Sequence, residues 1–503
     1  MILDARSVPP GATIDADICI VGAGAAGIAM AREFIPRATS VVLLESGDLA
    51  SSAPTQELYD GPNTGTFLAP DSRYLFGTRA RYLGGTTNYW DGWCRPLDEH
   101  DFTERDWVPA SGWPLTRAEL RPYYDRACAL LEIHPFDDAD AAERLTAGTP
   151  LFPPDSVMRP AFFHLSPPTR FGQVYRQDLA AAERVKLFLN ANTVELETDA
   201  SAGAVERVRV ATLAGGQFHV RARRFVVAAG GIENARLLLA SRTVESGGLG
   251  NRSDLVGRHF MEHPSFALGV LVMPERNATM YHYRRHQHPK GGLNEIAIVQ
   301  LAPEVQRRHR LLNSLLFFHR MEKWRYKSVE RELGNVPFLL DDLAGGADGA
   351  GAGGTYYGEV NFVAEQSPNP DSRVTLADEK DALGSPRARL DWCLSEADAA
   401  SMAVTLDLFA REIGVLGLGR VKLYFEAARP WRGVGWAHHH MGTTRMHRDP
   451  RRGVVDADAK VHGVANLYVA GSSVFPTSGS NNPTLTLVAL ALRLADHLKE
   501  QAL

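Results

Sequence analysis

The chain has 503 residues, more than one hydrophobic core ordinarily holds, so two intimately packed domains are expected. Hydrophobic residues make up 45% and charged residues 22%, and 54 basic against 59 acidic side chains leave a formal net charge of -5 with no long block of one sign. That composition is globular and argues against a nucleic-acid binder or a protein drawn to an anionic membrane.

Met1 to Thr13 carries neither a basic start nor an apolar h-region, so no signal peptide is expected. Asp17-Ile-Cys-Ile-Val21 is a short apolar run with β-branched residues and reads as a buried parallel strand. Gly22-Ala-Gly24-Ala-Ala-Gly27 follows, then a helix from Ile28 to Phe34 and a second buried strand from Val41 to Leu44. This is a βαβ unit with a dinucleotide fingerprint. Gly22 permits the tight turn, Gly24 lets backbone approach a pyrophosphate at the helix N-terminus, and Gly27 lets helix pack on strand. Glu45 ends the second strand, 18 residues after Gly27, where its carboxylate can accept from a ribose 2′-hydroxyl.

Leu115 to Leu131 has helical spacing with Thr116 as cap. Residues 187–227 read as a β-ribbon, with runs at Val194 to Leu196, Val205 to Val210 and Phe218 to Val220. It leads into an apolar strand, Phe225 to Ala229, and a helix, Ile232 to Ala240. From about 265 to 425 the character changes: strands such as Phe266 to Val272 mix with charged, helical stretches such as Arg320 to Leu333. Gly345 to Gly354 holds six glycines in ten residues and reads as a surface loop or disordered lid. Asn466 to Ala470 returns as a strand and Pro483 to Lys499 as a helix. The most apolar stretch, Leu485 to Leu492, is too short to span a bilayer. Cys19, Cys94, Cys128 and Cys393 form no CxxC pair, which fits reduced thiols in a cytoplasm better than zinc or disulfides.

Further segments stand in order: Leu83-Gly-Gly-Thr-Thr-Asn-Tyr-Trp90, Val226-Val-Ala-Ala-Gly-Gly-Ile-Glu-Asn-Ala-Arg-Leu-Leu238, Val256-Gly-Arg-His-Phe-Met-Glu-His-Pro264, Asn369-Pro-Asp-Ser-Arg-Val-Thr-Leu376, His439-His-Met-Gly-Thr-Thr-Arg-Met446 and Ser480-Asn-Asn-Pro-Thr-Leu-Thr486. Together they resemble the glucose–methanol–choline (GMC) oxidoreductases over nearly the whole chain, in spellings closest to pyranose oxidase-like and other sugar- or glycoside-oxidising members.

The resemblance implies an α/β fold, with a Rossmann-like FAD-binding domain interleaved with an α+β substrate domain built on an antiparallel sheet. The expected division is 1–110, 185–262 and 430–503 for FAD, with 111–184 and 263–429 for substrate. It implies oxidation of an alcohol on a sugar, glycoside or similar polyhydroxylated compound, with hydride passing to flavin N5. Electrons then leave to oxygen or an external acceptor. The alternatives are a lyase of the same fold without net redox turnover, or a dehydrogenase subunit dependent on a separate acceptor.

In the family pattern His-x-x-Gly-Thr, counting back from Gly442 selects His439 as base, and His438 and His440 then pack or hydrogen-bond nearby. Adjacent strand residues point to opposite faces, so three histidines in a row poorly match a chelating site and no metal is expected. Asn482 is the second catalytic residue by resemblance. It also precedes Pro483, which suits an N-cap followed by the first residue of the last helix. Cofactor contacts are expected from Gly22, Gly24, Ala25, Gly27, Glu45, Ser46, Gly84, Gly85, Thr86, Asn88, Val194, Ala229, Gly230, Gly471, Ser472, Pro483 and Thr484. Tyr89 stands where some pyranose oxidases carry a flavin-linking histidine, so FAD is expected without a covalent link. Trp90 and Trp93 are candidate walls of the site, and Arg445 a candidate for a salt bridge.

Overall fold

Apolar runs without alternation predict strands covered on both faces. The strand Thr13–Val21 fulfils this, with Ile18 to Val21 buried. The structure is a computed structural model that describes residues 1–66, 68–69, 71–146, 150–274, 281–320 and 355–501. Thr13–Val21 lies inside a sheet ordered Ile2–Asp4, Val185–Leu189, Val41–Leu44, Thr13–Val21, Gln217–Val227. All these pairings are parallel.

Phe218 to Val220 and Phe225 to Ala229, expected as separate runs, form one strand, Gln217–Val227. Its free edge is shared. Val205–Ala211 pairs antiparallel with its first half, and Leu467–Val469 pairs parallel with Phe225 to Val227. Asn192–Thr198 completes the ribbon beyond Val205–Ala211.

The helices Ala25–Glu33 and Thr484–Glu500 contribute to the same core as this sheet. Arg117–Leu130, expected in the substrate segment, packs on the terminal helix instead: Tyr124 and Thr486 hydroxyls lie 3.0 Å apart, and Arg126 donates to Asp496 at 2.5 Å. Thr116 caps it as expected, in a box closed by Glu119.

A second, antiparallel sheet runs Arg420–Leu423, Pro264–Pro274, Thr355–Ala364, Ser314–Arg320, Asn294–Leu301, Met158–Leu165, Trp93–Cys94. Its period-two pattern sorts side chains by face. Phe162, Val299, Leu316 and Phe362 meet Leu406 and Phe409 of the helix Glu396–Val415. Phe163, Ile298 and Leu315 lie on the other face with Trp93 and Phe317. Trp93–Cys94 and Gly435–Trp436 fall in segments the sequence gives to the cofactor, yet both pair into this sheet.

Arg320 ends a strand, while the rest of the stretch expected to be helical, 321–333, and the glycine-rich run Gly345 to Gly354 lie outside the described residues. Among the described residues no helix is long and apolar enough to cross a membrane.

Candidate active site

A cavity of about 610 Å³ opens where the parallel strands end, roofed by one face of the antiparallel sheet. Its floor begins with the fingerprint turn. Gly22 sits at φ +104, and a Cβ there would lie 2.6 Å from Ala228 O. Gly27 faces inward, where a Cβ would meet Gly22 O at 1.9 Å, so the helix seats on the turn only with glycine. Gly24 is the N-cap of Ala25–Glu33 and makes no side-chain cap bond; no atom lies within 4 Å of the position a Cβ would take. The first helical amides and the dipole therefore face the cavity. Gly230 and Gly471, with φ of +92 and +113, are open in the same way, with no atom within 4 Å of where a Cβ would stand, and line the same space.

Glu45 is buried at the cavity edge, accepting from Ala23 N at 3.1 Å through Oε2 and Gly47 N at 2.8 Å through Oε1. Oε1 also accepts from Ser46 Oγ at 3.4 Å, so Oε2 keeps the further lone pair for a ribose hydroxyl. Burial pushes its carboxyl above the usual range, against these hydrogen bonds and the Arg81 charge.

Above the turn, Arg79, Arg81 and Arg236 converge on buried Glu233, three cations on one carboxylate, which holds that carboxyl well below its usual range despite burial. Arg81 also donates to Asn192 Oδ1 at 3.3 Å, while its buried Nε has no partner among the described residues. Asn234 ties the two strand-end turns together, accepting from Ala229 N at 2.7 Å and donating to Ala470 O at 3.2 Å. Nothing in the sequence assigned these five residues a role, although Glu233, Asn234 and Arg236 stand in one of its motifs.

At the other end of the cavity lie His439 and Asn482. His263, fully buried, has its Nε2 2.9 Å from Gly479 O and its Nδ1 2.9 Å from His439 Nδ1. A carbonyl only accepts, so His263 carries its hydrogen on Nε2 and offers a lone pair at Nδ1. His439 then donates from Nδ1, which leaves the lone pair on its Nε2 facing the Asn482 amide, 3.3 Å away. Burial drives His439 well below its usual pKa, with His263, His438 and His440 adding to the effect, so the ring is neutral. Burial likewise lowers His263 to about 4. Glu262 holds the backbone beneath, accepting from His439 N at 2.6 Å, His263 N at 2.9 Å and the Tyr74 hydroxyl at 2.8 Å.

Two family models match: FAD dependent oxidoreductase over residues 17–248 and GMC oxidoreductase over residues 368–491. The chain thus combines an FAD oxidoreductase domain with a GMC oxidoreductase C-terminal domain. It is an FAD-dependent alcohol oxidoreductase. Among relatives of this chain, 6'''-hydroxyparomomycin C oxidase from Streptomyces lividus is 28% identical, over 96% of this chain and 92% of that protein. The fructose dehydrogenase large subunit from Gluconobacter japonicus is 25% identical, over 96% and 98%. The fold matches that of pyridoxine 4-oxidase from Mesorbium loti with a TM-score of 0.62 at 17% identity, over 97% of this chain and 100% of that one. The cavity fits FAD: the unpartnered Arg81 Nε, the open helix amides and the three glycines facing empty space suit a pyrophosphate.

Most residues the sequence singled out line this cavity: Gly22, Gly24, Ala25, Glu45, Ser46, Gly85 and Thr86 from the first hundred residues, then Ala229, Gly230, Gly471 and Ser472, then Pro483 and Thr484 with His439 and Asn482. Trp90, Trp93 and Tyr89 line it too. Four others do not. Gly27 packs under the turn, and Gly84 packs against Gly172, where a Cβ would meet its N at 2.7 Å. Asn88 turns its amide onto Leu83 O and Gly85 O, closing the local turn. Val194 is displaced by Thr193, because the pairing register shifts between Thr193 and Glu195. The last helix begins at Thr484 with Pro483 as its cap residue, so Asn482 is not the cap; its amide is turned to His439. His440 bonds the Tyr74 hydroxyl at 3.1 Å, while His438 lines the cavity. Arg445 is buried and donates to Ala110 O in place of the expected carboxylate.

One trio with metal-ligand character lies on the far face of the antiparallel sheet: His164, His288 and Glu295. Arg144 and His286 already bond Glu295, and Lys290 N donates to His288 Nδ1 at 3.1 Å. His288 therefore carries its hydrogen on Nε2, with no lone pair toward the trio, and the group is an ion-pair network.

Burial raises the Glu262 carboxyl to about 7, outweighing its hydrogen bonds, against an ordinary value of 4.5. Its folded pKa is thus above its unfolded one, so the stability it contributes is complete below pH 4.5 and is lost as pH rises through about 7. Glu262→Gln keeps an acceptor for the two amides and can turn its NH2 to Tyr74. Relative to wild type, the variant is expected to gain up to about 3 kcal/mol between acid and pH 8. Thermal melts at both pH values measure this; parallel curves for the two proteins would mean that Glu262 does not titrate in this window.

Proposed function

We propose that this GMC oxidoreductase oxidises an alcohol carbon of a sugar or glycoside, with His439 as base. The observation that carries the reading is the hydrogen-bond chain from Gly479 O through His263 to His439, which leaves the Nε2 lone pair pointing into the cavity, where the Asn482 amide meets it at 3.3 Å. Asn482 donates from Nδ2 to the substrate oxygen and orients it, while His439 Nε2 takes the hydroxyl proton. His263 and Glu262 are positioning residues: one sets the His439 tautomer, the other its backbone. FAD, when bound, supplies the two-electron acceptor for the carbon-bound hydrogen.

Arg81, the fingerprint glycines, Glu45, Gly230, Gly471 and the start of the last helix would hold it, without a covalent link. The sugar reading is supported by relatives named for a hydroxyparomomycin and for fructose. We assign the parallel-sheet half to the cofactor and the antiparallel-sheet half to substrate. Four free thiols, three of them buried, support a reducing compartment.

The test is anaerobic mixing of the flavin-loaded protein with free sugars, glycosides, amino sugars and simple alcohols, followed by air. Bleaching by one sugar class is expected. Rapid return of the yellow colour then assigns oxygen as acceptor, and slow return an external one. Bleaching by simple alcohols alone would overturn the sugar reading.

A further inference from the structure

The cavity extends past His439 along the roof. Ser265, Val363 and Leu315 lie side by side across three neighbouring strands in that direction. With strands about 4.8 Å apart, this row covers roughly 10 Å. Beyond it stands an aromatic line. Trp93 and Phe317 have ring centroids 5.2 Å apart and tilted by 54°, and Phe317 meets His319 edge-on at 5.1 Å. All three line the cavity, and none is fully buried. Phe163 supports Trp93 from behind at 5.5 Å.

The chemistry of this outer part differs from that at His439. Its walls are aliphatic and aromatic, so a second sugar ring there would bury hydroxyls with few partners. The rim carries both Arg285 and Asp91, and burial, opposed by Glu359 and reinforced by Arg285, keeps His319 below its usual pKa and neutral. Opposite charges balance at the rim, which leaves stacking as the main attraction.

We propose that the outer cavity is a subsite for a planar aromatic aglycone, so that the substrate is an aryl glycoside whose sugar sits at His439 and Asn482. The inference rests on the sugar reading above. Trp93 and Phe317 present the stacking faces, with His319 extending them to the rim.

The test compares the methyl and phenyl glycosides of whichever sugar bleaches the flavin, using the holoenzyme and steady-state kinetics. The phenyl glycoside is expected to have roughly tenfold higher kcat/KM, carried by KM because stacking acts equally on bound substrate and transition state. In Phe317→Ala the phenyl-to-methyl ratio falls toward one. Phe317→Leu, which stays apolar and leaves a smaller gap than alanine, lowers the same ratio and guards against misfolding. Equal kcat/KM for the two glycosides in the wild type would overturn the subsite, as would variants that leave the ratio unchanged. Turnover of both glycosides at equal rates leaves the sugar reading intact, whereas no bleaching by any sugar removes that reading and the subsite with it.

Discussion

His439→Ala is expected to slow reduction of bound FAD by its alcohol roughly 10²–10⁴-fold, the range for loss of a positioned base. Flavin content should stay near that of the wild type, because the His439 side chain bonds His263 and Asn482 and none of the groups that would hold the pyrophosphate. The pH dependence gives a second readout. The active form of the base is neutral, and its pKa lies well below the ordinary 6.5. The wild-type rate should therefore stay level as pH falls through 6.5 and drop only deeper in acid; in the variant that acid limb disappears. Stopped-flow reduction across pH measures both. A limb that persists in His439→Ala, with a loss under about tenfold, would place the base elsewhere. His263→Leu removes the acceptor for the His439 Nδ1 hydrogen while leaving the base, so a smaller loss is expected, carried by kcat rather than KM.

The second large effect separates folding from cofactor binding within one turn. Gly22→Ala puts a methyl 2.6 Å from Ala228 O at φ +104. The backbone penalty of about 1–2 kcal/mol adds to roughly 1–3 kcal/mol of overpacking, and this variant should melt much earlier and lose flavin. Gly24→Ala meets no atom within 4 Å and has φ -83, an ordinary conformation. It should fold normally and melt near the apoprotein, yet purify with little FAD because its methyl stands where the pyrophosphate must approach. Absorbance at the flavin band and thermal melts of stripped protein distinguish them. Flavin retained at wild-type levels in Gly24→Ala would remove the pyrophosphate from this turn.

The strand, turn and helix at residues 13–33 were legible because each element is local: an apolar run, glycines at fixed spacing and a helical pattern. His439 and Asn482 were legible only through resemblance. His263 was not, since it meets His439 across 176 positions and no spacing encodes that contact. The same holds for Arg79 and Arg81, which reach Glu233 from about 150 residues away. Val194 differs again: Thr193, not Val194, lines the cavity, at an irregularity in the ribbon between Thr193 and Glu195 that no sequence pattern marks. Asn482 was expected as a cap because Asn-Pro usually opens a helix, but here the amide finds a better-placed partner in His439.

The sheet order carries a consequence for biosynthesis. Gln217–Val227 flanks Thr13–Val21, and Leu467–Val469 completes its outer edge. A ribosome releasing this chain from its N-terminus exposes the second edge of Thr13–Val21 until residue 227 has emerged. It then leaves the outer edge of that neighbour's last three residues unpaired for some 240 more residues, which at about 5–20 residues per second is tens of seconds. His439 and Asn482 come later than most of the fold they act in. The nascent chain therefore carries an apolar, half-finished sheet before it can complete its cofactor cradle, and its yield should depend on chaperones and slow synthesis more than on flavin supply.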